Sequence, residues 1–139
     1  MFQRILLASD GSDHSKRAAE KAIEIAKCNK DSILEIVYVI DGDQAKSDVL
    51  QNWNKADLDE KRKNKMQWVE ARAKEAQISF GFKTLTGDPG PSIVKYANEQ
   101  DFDLVVIGSR GLNTLQEFVL GSVSHKIAKR ASCPVMIVK

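Results

Sequence analysis

Two short segments of this sequence are almost continuously apolar, and they constrain the fold more than any other feature. They are LVVI within "DLVVIGS" (Asp103 to Ser109) and IVYVI at the end of "SILEIVYVI" (Ser32 to Ile40). A strand with one face in water alternates polar and apolar residues, whereas these segments carry apolar residues on both faces. We therefore predict two strands buried between layers of helix, as in a parallel sheet.

Four helices are predicted from apolar residues that recur at helical spacing between the strands. Further strands are predicted from the apolar run Ile5 to Ala8, the weakly alternating stretch Ile78 to Gly87, and the closing "CPVMIVK". Strands and helices therefore alternate in the order βαβαβαβαβ. The apolar stripes of the four helices are Ala18, Ala19, Ala22, Ile23 and Ala26; Met66, Val69, Ala73 and Ala76; Ile93, Val94 and Ala97; and Val123, Ile127 and Ala131.

This alternation predicts an α/β fold, an open three-layer sandwich in which about four helices flank a parallel sheet of five strands. The chain of 139 residues has the length of one ordinary domain, so we expect a single domain over residues 1–139. Polar and charged residues fill positions 41–64, which predicts a loop ahead of the second helix.

The last strand is predicted to lie at an edge of the sheet. Pro134 has no N–H to donate to a ladder, which favours an edge position for the strand that it begins. An exposed apolar edge promotes aggregation unless it is covered, and a two-fold copy of the same strand is the simplest cover. We therefore expect a homodimer through Val135 to Val138.

Composition and charge argue against several classes of function. The net charge is +2 and aromatic residues make up 6%, so no basic stripe with interleaved aromatic residues suggests nucleic acid as a partner. No apolar run approaches the roughly 18 residues of a membrane span, and the start lacks a secretory cleavage site, so we expect a cytoplasmic protein. Cys28 and Cys133 fit no zinc or disulfide pattern, and His14 and His125 have no metal-ligand spacing, so no protein-built metal site is expected.

Two turns are candidate parts of a ligand site, because ligands of open parallel sheets bind where the strand order reverses, beside the first strand. One turn is "SDGSDHS" after the first strand, and the other follows the fourth strand. The second turn has the features of an anion site, namely glycines that let a backbone approach closely, a helix N-terminus, hydroxyl groups and a guanidinium. The residues concerned are Gly108, Arg110, Gly111, Gly121, Ser122 and Ser124.

The same glycines fit a simpler hypothesis, in which Gly108 ends a strand, Gly111 turns a loop and Ser122 caps a helix with nothing bound. The glycines alone leave both hypotheses open. The pattern G-x-x-x-x-G-K-[ST] is absent, which excludes the phosphate loop of NTPases.

The first turn has a different character, because Asp10 and Asp13 would repel phosphate. Asp10 instead suits the hydroxyl groups of a ribose, and the end of the second strand, near Val39 and Ile40, could border an adenine ring. Helix capping by Asp10 and Ser12 is the alternative, and Asp13 suits the first-turn dipole.

Several motifs together resemble single-domain bacterial universal stress proteins, and the resemblance covers essentially the whole chain. They are "ILLASDGSDHSKRAAEKAIEIA" at the start, "GDPGPSIVKYA" in the middle, the spacing Gly108-x2-Gly111-x9-Gly121-Ser122, and the closing "CPVMIVK". The resemblance implies a five-stranded parallel sheet of order 3-2-1-4-5 and a homodimer through the last strands.

The resemblance also implies binding of ATP, or of AMP or a related adenine nucleotide, with Mg²⁺ accompanying the nucleotide. Asp10 would contact the ribose side, Val39 and Ile40 the adenine, and the glycine-serine element the phosphates. The nucleotide-binding residues implied are Ala8, Ser9, Asp10, Val39, Ile40, Gly108, Arg110, Gly111, Gly121, Ser122, Val123 and Ser124.

The resemblance favours a regulatory, ATP-binding protein of the stress response that acts as a homodimer. A slow ATPase or phosphoryl-transfer enzyme is an alternative, although Asp10, Asp13, Arg110 and Glu117 form no convincing catalytic constellation. A protein-interaction module without a ligand is the other alternative. A receiver domain is disfavoured because the third strand ends in "TLTGDPG" and Lys139 is badly placed for the lysine that a receiver has after its fifth strand. A flavin-binding domain is disfavoured because two carboxylates occupy the turn where its phosphate would bind.

Overall fold

A computed structural model describes residues 2–40, 55–110 and 121–139 of the chain. Strands and helices alternate along these residues, which confirms the α/β prediction. The elements in chain order are β1 (Arg4–Ala8), α1 (Asp13–Lys27), β2 (Ile33–Ile40), α2 (Lys55–Glu75), β3 (Ser79–Thr86), α3 (Pro89–Glu99), β4 (Leu104–Gly108), α4 (Ser122–Arg130) and β5 (Val135–Val138).

The strands form one parallel sheet of order β3-β2-β1-β4-β5, which confirms the predicted topology. Strand β1 lies at its centre, with Ile5 opposite both Leu34 of β2 and Leu104 of β4. The chain therefore runs outward from β1 in one direction to β3 and then in the other direction to β5. This reversal at β1 opens a crevice at the carboxyl ends of the central strands.

Helices cover both faces of the sheet and divide the core in two. Helices α1 and α2 pack on one face, and α3 and α4 pack on the other. Because side chains alternate along a strand, Ile5 and Leu7 of β1 belong to the first core and Leu6 and Ala8 to the second. All of β4 is buried, as its continuous apolar sequence predicted.

Helix α1 follows β1 after a short turn and packs against the end of β4. Its N-cap is Ser12, whose hydroxyl accepts a hydrogen bond from the Ser15 amide at 3.2 Å, and Asp13 lies in its first turn, where a negative charge is favourable. A Cβ on Gly108 would lie 2.9 Å from the carbonyl carbon and oxygen of His14. Glycine at position 108 is therefore required by helix packing, whether or not a ligand binds.

Helix α2 begins earlier than the sequence indicated. A loop was predicted from 41 to 64, but residues 55–64 are helical, so that prediction is wrong for them, while residues 41–54 lie outside the described part of the chain. The helix was predicted only where an apolar stripe is present. A helix needs such a stripe to pack on a core, but it can form without one. Met66, Val69 and Ala73 dock the helix on the core. The preceding segment is rich in strong helix formers, which favour a helix without an apolar stripe.

Strand β5 lies at an edge of the sheet, as predicted. It pairs with β4, and the carbonyl of Pro134 accepts a hydrogen bond from the Val105 amide at 3.0 Å. Met136 in its centre is 37% exposed. Dimerisation through this edge stays a prediction. Within the described residues no helix combines the length and apolarity that crossing a membrane requires.

We predict that Gly108→Ala destabilises the protein, because the added methyl group would lie only 2.9 Å from backbone atoms of His14. Overpacking of this kind costs about 1–3 kcal/mol in the free energy of unfolding, measurable by urea denaturation. Gly81→Ala in β3 is the matched control, since its Cβ would meet no atom within 4 Å. Equal stability of the two variants would contradict the proposed contact.

Candidate functional site

A cleft of about 380 Å³ opens at the carboxyl ends of the central strands, where the strand order reverses. Both turns singled out in the sequence contribute to it, together with the end of β2 and the first turns of α1, α3 and α4. The structure brings ten of the twelve candidate residues into its wall: Ala8, Ser9, Asp10, Val39, Gly108, Arg110, Gly121, Ser122, Val123 and Ser124.

Two candidate residues are not found in this wall. The side chain of Ile40 packs with the α1 and α2 core on the opposite face of the sheet, and its carbonyl accepts a hydrogen bond from the Gly87 amide at 2.9 Å. Gly111 lies outside the described residues, as does Glu117. The alternation of side chains along β2 explains why Val39 reaches the cleft and its neighbour does not.

The cleft also contains five residues that the sequence did not single out: Ser15, Val37, Pro89, Ile93 and Ile107. Val37 and Ile107 precede predicted site residues on their strands, and a period of two could have indicated Val37. Pro89 and Ile93 come from α3, one helical turn apart. Their contribution depends on α3 crossing the face of β2, which follows from tertiary packing and has no local signal.

The turn between β1 and α1 is held by its own hydrogen bonds. Asp10 Oδ1 accepts from the Ser12 amide at 2.9 Å, and the Ser12 hydroxyl caps the helix, so Ser12 rather than Asp10 is the N-cap. The Ser15 hydroxyl donates to the carbonyl of Ser12 at 2.8 Å. The Ser9 hydroxyl donates to the Ser15 hydroxyl oxygen at 3.4 Å. A carboxylate has several lone pairs, so Asp10 keeps acceptor capacity for a hydroxyl group of a ligand.

The opposite wall is formed by the N-terminus of α4. The amide of Gly121 donates to the carbonyl of Ser109 at 2.8 Å, which holds the start of the helix beside the end of β4. Gly121 is the N-cap and supplies no side-chain cap, so the first-turn amides face the cleft with the positive end of the helix dipole. A Cβ at position 121 would approach the Ser109 carbonyl oxygen to 3.2 Å, so the close packing favours glycine here too.

The two serines of α4 have different positions. Ser124 is buried, and its hydroxyl donates to the carbonyl of Gly108 at 2.6 Å, tying the helix to β4. Ser122 is exposed at the cleft. The hydroxyl proton of Ser124 is therefore committed to the protein, and that of Ser122 is available to a ligand.

The end of β2 presents backbone groups to the cleft. The Val37 carbonyl accepts from the Ser9 amide at 3.0 Å, and the Ile40 carbonyl accepts from Gly87 on the β3 side, so the direction of the backbone groups alternates along the strand. The N–H and C=O of Val39 consequently point to the β1 side. Since β1 ends at Ala8, opposite Val37, no strand among the described residues pairs with them there.

The cleft wall combines apolar and charged groups. Apolar side chains of β2 and α3 line the cleft together with Asp10, Arg110 and the N-terminus of α4. The described residues contain no group of three or more His, Cys, Asp or Glu side chains that could hold a metal ion. This lining suits a ligand that has both a flat apolar part and an anionic part.

One side-chain pair outside the cleft fixes the helix that forms its apolar wall. The Tyr96 hydroxyl, one turn beyond Ile93, donates to Glu35 Oε1 at 2.5 Å across β2. Burial, the hydrogen bond and the negative charge of Glu35 raise the pKa of Tyr96 from 10.0 to about 12. The pair therefore anchors α3 over β2 while the tyrosine remains protonated.

The fold and the cleft define an open α/β domain of the kind that binds a ligand at the strand reversal. A sequence profile described as the universal stress protein family matches residues 1–139. Universal stress protein YxiE of Bacillus subtilis is 32% identical over the full length of both chains. Universal stress protein MJ0531 of Methanocaldococcus jannaschii is 33% identical, over 100% of this chain and 83% of that protein. The chain belongs to the universal stress protein family.

Solved structures resemble this fold closely. Hypothetical protein MJ0577 superposes with a TM-score of 0.87 at 28% identity, covering 100% of this chain and 96% of that one. A universal stress protein solved in complex with cAMP has a TM-score of 0.72 at 27% identity, covering 99% and 97%. A family member from Arabidopsis thaliana with AMP bound has a TM-score of 0.70 at 22% identity, covering 99% and 91%, which supports the fold alone.

We predict that Tyr96→Phe removes a pH-dependent part of the stability. A group whose folded pKa is raised stabilises the protein fully below its unfolded pKa, and this contribution is lost as the pH rises through the folded value. The difference in unfolding free energy between wild type and variant should therefore be constant up to about pH 10 and shrink toward pH 12. Denaturation of both proteins across this range measures it, and a constant difference would contradict the Tyr96 assignment.

Proposed function

We propose that this chain binds an adenine nucleotide in the cleft, with ATP as the main ligand, and acts as a cytoplasmic regulatory protein of the stress response. One observation carries the proposal. A single cleft joins an apolar slot, bordered by the backbone groups of Val39, to a helix N-terminus at Gly121. A nucleotide has matching parts, because its flat base and its phosphates are joined through a ribose.

The apolar side chains of β2 and α3 in the cleft wall suit the adenine ring. Val37, Val39, Pro89 and Ile93 offer aliphatic surface from two sides, as ligand pockets for aromatic rings commonly do. The N–H of Val39 can donate to N1 of adenine, and its C=O can accept from the 6-amino group. Guanine presents a donor at N1 and an acceptor at O6, so the same backbone groups would oppose it.

The ribose and the phosphates suit the remaining parts of the cleft. Asp10 can accept from ribose hydroxyl groups, and the first-turn amides of α4 can donate to phosphate oxygens, with Ser122 adding a hydroxyl. Arg110 also lines the cleft, and its guanidinium can form charge-assisted hydrogen bonds with phosphate oxygens. We assign Gly111 to the phosphate side by its place in the glycine-serine spacing, and Mg²⁺ to the nucleotide rather than to protein ligands.

The relative solved with cAMP supports an adenine nucleotide as the ligand class. For regulation we propose a homodimer through Val135 to Val138 of β5, because this exposed edge is apolar and an uncovered edge of that kind is an aggregation hazard. We assign binding rather than rapid turnover, since Asp10 lies toward the ribose position and is thus poorly placed to act as a base at a terminal phosphate.

We predict that the protein binds ATP and that Gly121→Val weakens this binding by about tenfold or more, because the side chain meets the Ser109 carbonyl and displaces the α4 amides. Isothermal titration calorimetry measures both affinities.

GTP should bind about tenfold more weakly than ATP, since mismatched buried hydrogen-bonding groups cost about 1–3 kcal/mol.

Gly81→Ala is the control, because its site on β3 is remote from the cleft and accepts a methyl group without contact. Thermal melts of both variants establish that they are folded. Absence of binding of any adenine nucleotide to the wild-type protein at millimolar concentration would overturn the proposed function, and would favour a ligand-free interaction module.

A further inference from the structure

A lysine that the proposed site does not use lies between α3 and α4, two of the helices whose first turns contribute to the cleft. Lys126 is on α4, one turn after Ser122, and a side chain on a helix leans toward the N-terminus, here toward the cleft. Its stem crosses the first turn of α3, where a Cβ on Gly90 would lie 3.0 Å from the Lys126 Cδ. Pro89, the neighbour of Gly90, and Ser122, one turn before Lys126, both belong to the cleft wall.

The ammonium group of Lys126 is held only weakly in its present position. Its Nζ lies 4.0 Å from Asp88 Oδ2, and the two side chains are 42% and 67% exposed. Exposed ion pairs at this separation contribute little free energy. Asp88 is the N-cap residue of α3 and its side chain makes no capping hydrogen bond, so releasing the lysine breaks no helix cap.

A polyphosphate at the α4 N-terminus would compete for this ammonium group. A terminal phosphate carries more charge than a carboxylate and offers three acceptor oxygens. The flexible four-carbon chain of Lys126 lets its ammonium group move away from Asp88. The single phosphate of a monophosphate would be bound by the first-turn amides, Ser122 and Arg110, without Lys126. The contribution of Lys126 to nucleotide affinity therefore depends on the number of phosphates in the ligand.

We propose that Lys126 is a specificity-determining residue, which exchanges Asp88 for the distal phosphates of the ligand and so makes the cleft prefer nucleoside di- and triphosphates over monophosphates. This inference rests on the proposed function, since it assigns the phosphate-chain length that the same cleft selects. Asp88 then pairs with Lys126 when no ligand is bound and competes with the ligand for the lysine ammonium group.

The test compares ATP and AMP affinities by calorimetry in magnesium-containing buffer for wild type and Lys126→Gln. The variant should bind ATP about tenfold more weakly, the loss typical of one charge-assisted hydrogen bond, and should bind AMP within about twofold of wild type. Retained AMP binding also establishes that the variant is folded. Lys129→Gln, one turn farther from the cleft and exposed on the same helix, is the matched control for charge and should change neither affinity.

A second variant separates direct contact from simple neutralisation of Asp88. If Lys126 contacts phosphate, Asp88→Asn should strengthen ATP binding, and Lys126→Gln should cost at least as much in that background as in wild type. If Lys126 only neutralises Asp88, the double variant will regain wild-type affinity, which would overturn the inference. Equal losses of ATP and AMP affinity in Lys126→Gln, or no loss, would also overturn it while leaving the proposed function intact. Failure of the wild type to bind either nucleotide would overturn both.

Discussion

The parallel pairing of β1 with β2 on one side and β4 on the other is the constraint on which the cleft depends. Because the chain leaves β1 in opposite directions in its two halves, α1 and α2 must cover one face and α3 and α4 the other. The helices cannot close over the carboxyl end of β1, so a crevice remains there. Strand β1 is also the shorter partner of β2, and its end at Ala8 leaves the backbone groups of Val39 directed at that crevice.

The glycine-serine element has a packing role that precedes any ligand. Gly108 lets the first turn of α1 rest against the end of β4, Gly121 lets α4 begin against the carbonyl of Ser109, and Ser124 ties the two by a hydrogen bond to Gly108. These contacts aim the first-turn amides of α4 into the cleft. The two hypotheses for the glycines, turn formation and anion binding, are therefore compatible, because the same close packing builds the wall that would hold an anion.

The fold could be predicted because continuous apolar runs such as the one in β4 identify buried parallel strands without tertiary information. The beginning of α2 could not, since its sequence carries no apolar stripe. Most candidate cleft residues lie at strand ends or in turns, where the topology alone brings them together. Pro89 and Ile93 depend on how α3 crosses β2, and Ile40 was included because the sequence near the end of β2 did not indicate which residue faces the cleft.

The central claim is that one nucleotide spans the cleft from Val39 to the N-terminus of α4. The most direct measurement is a titration of ¹⁵N-labelled protein with ATP, followed by amide chemical shifts. The account predicts that the Val39 amide and the amides of Ser122 and Val123 shift together with one dissociation constant, while β3 residues such as Gly81 stay unchanged. Shifts confined to one end of the cleft, or located elsewhere on the protein, would contradict it.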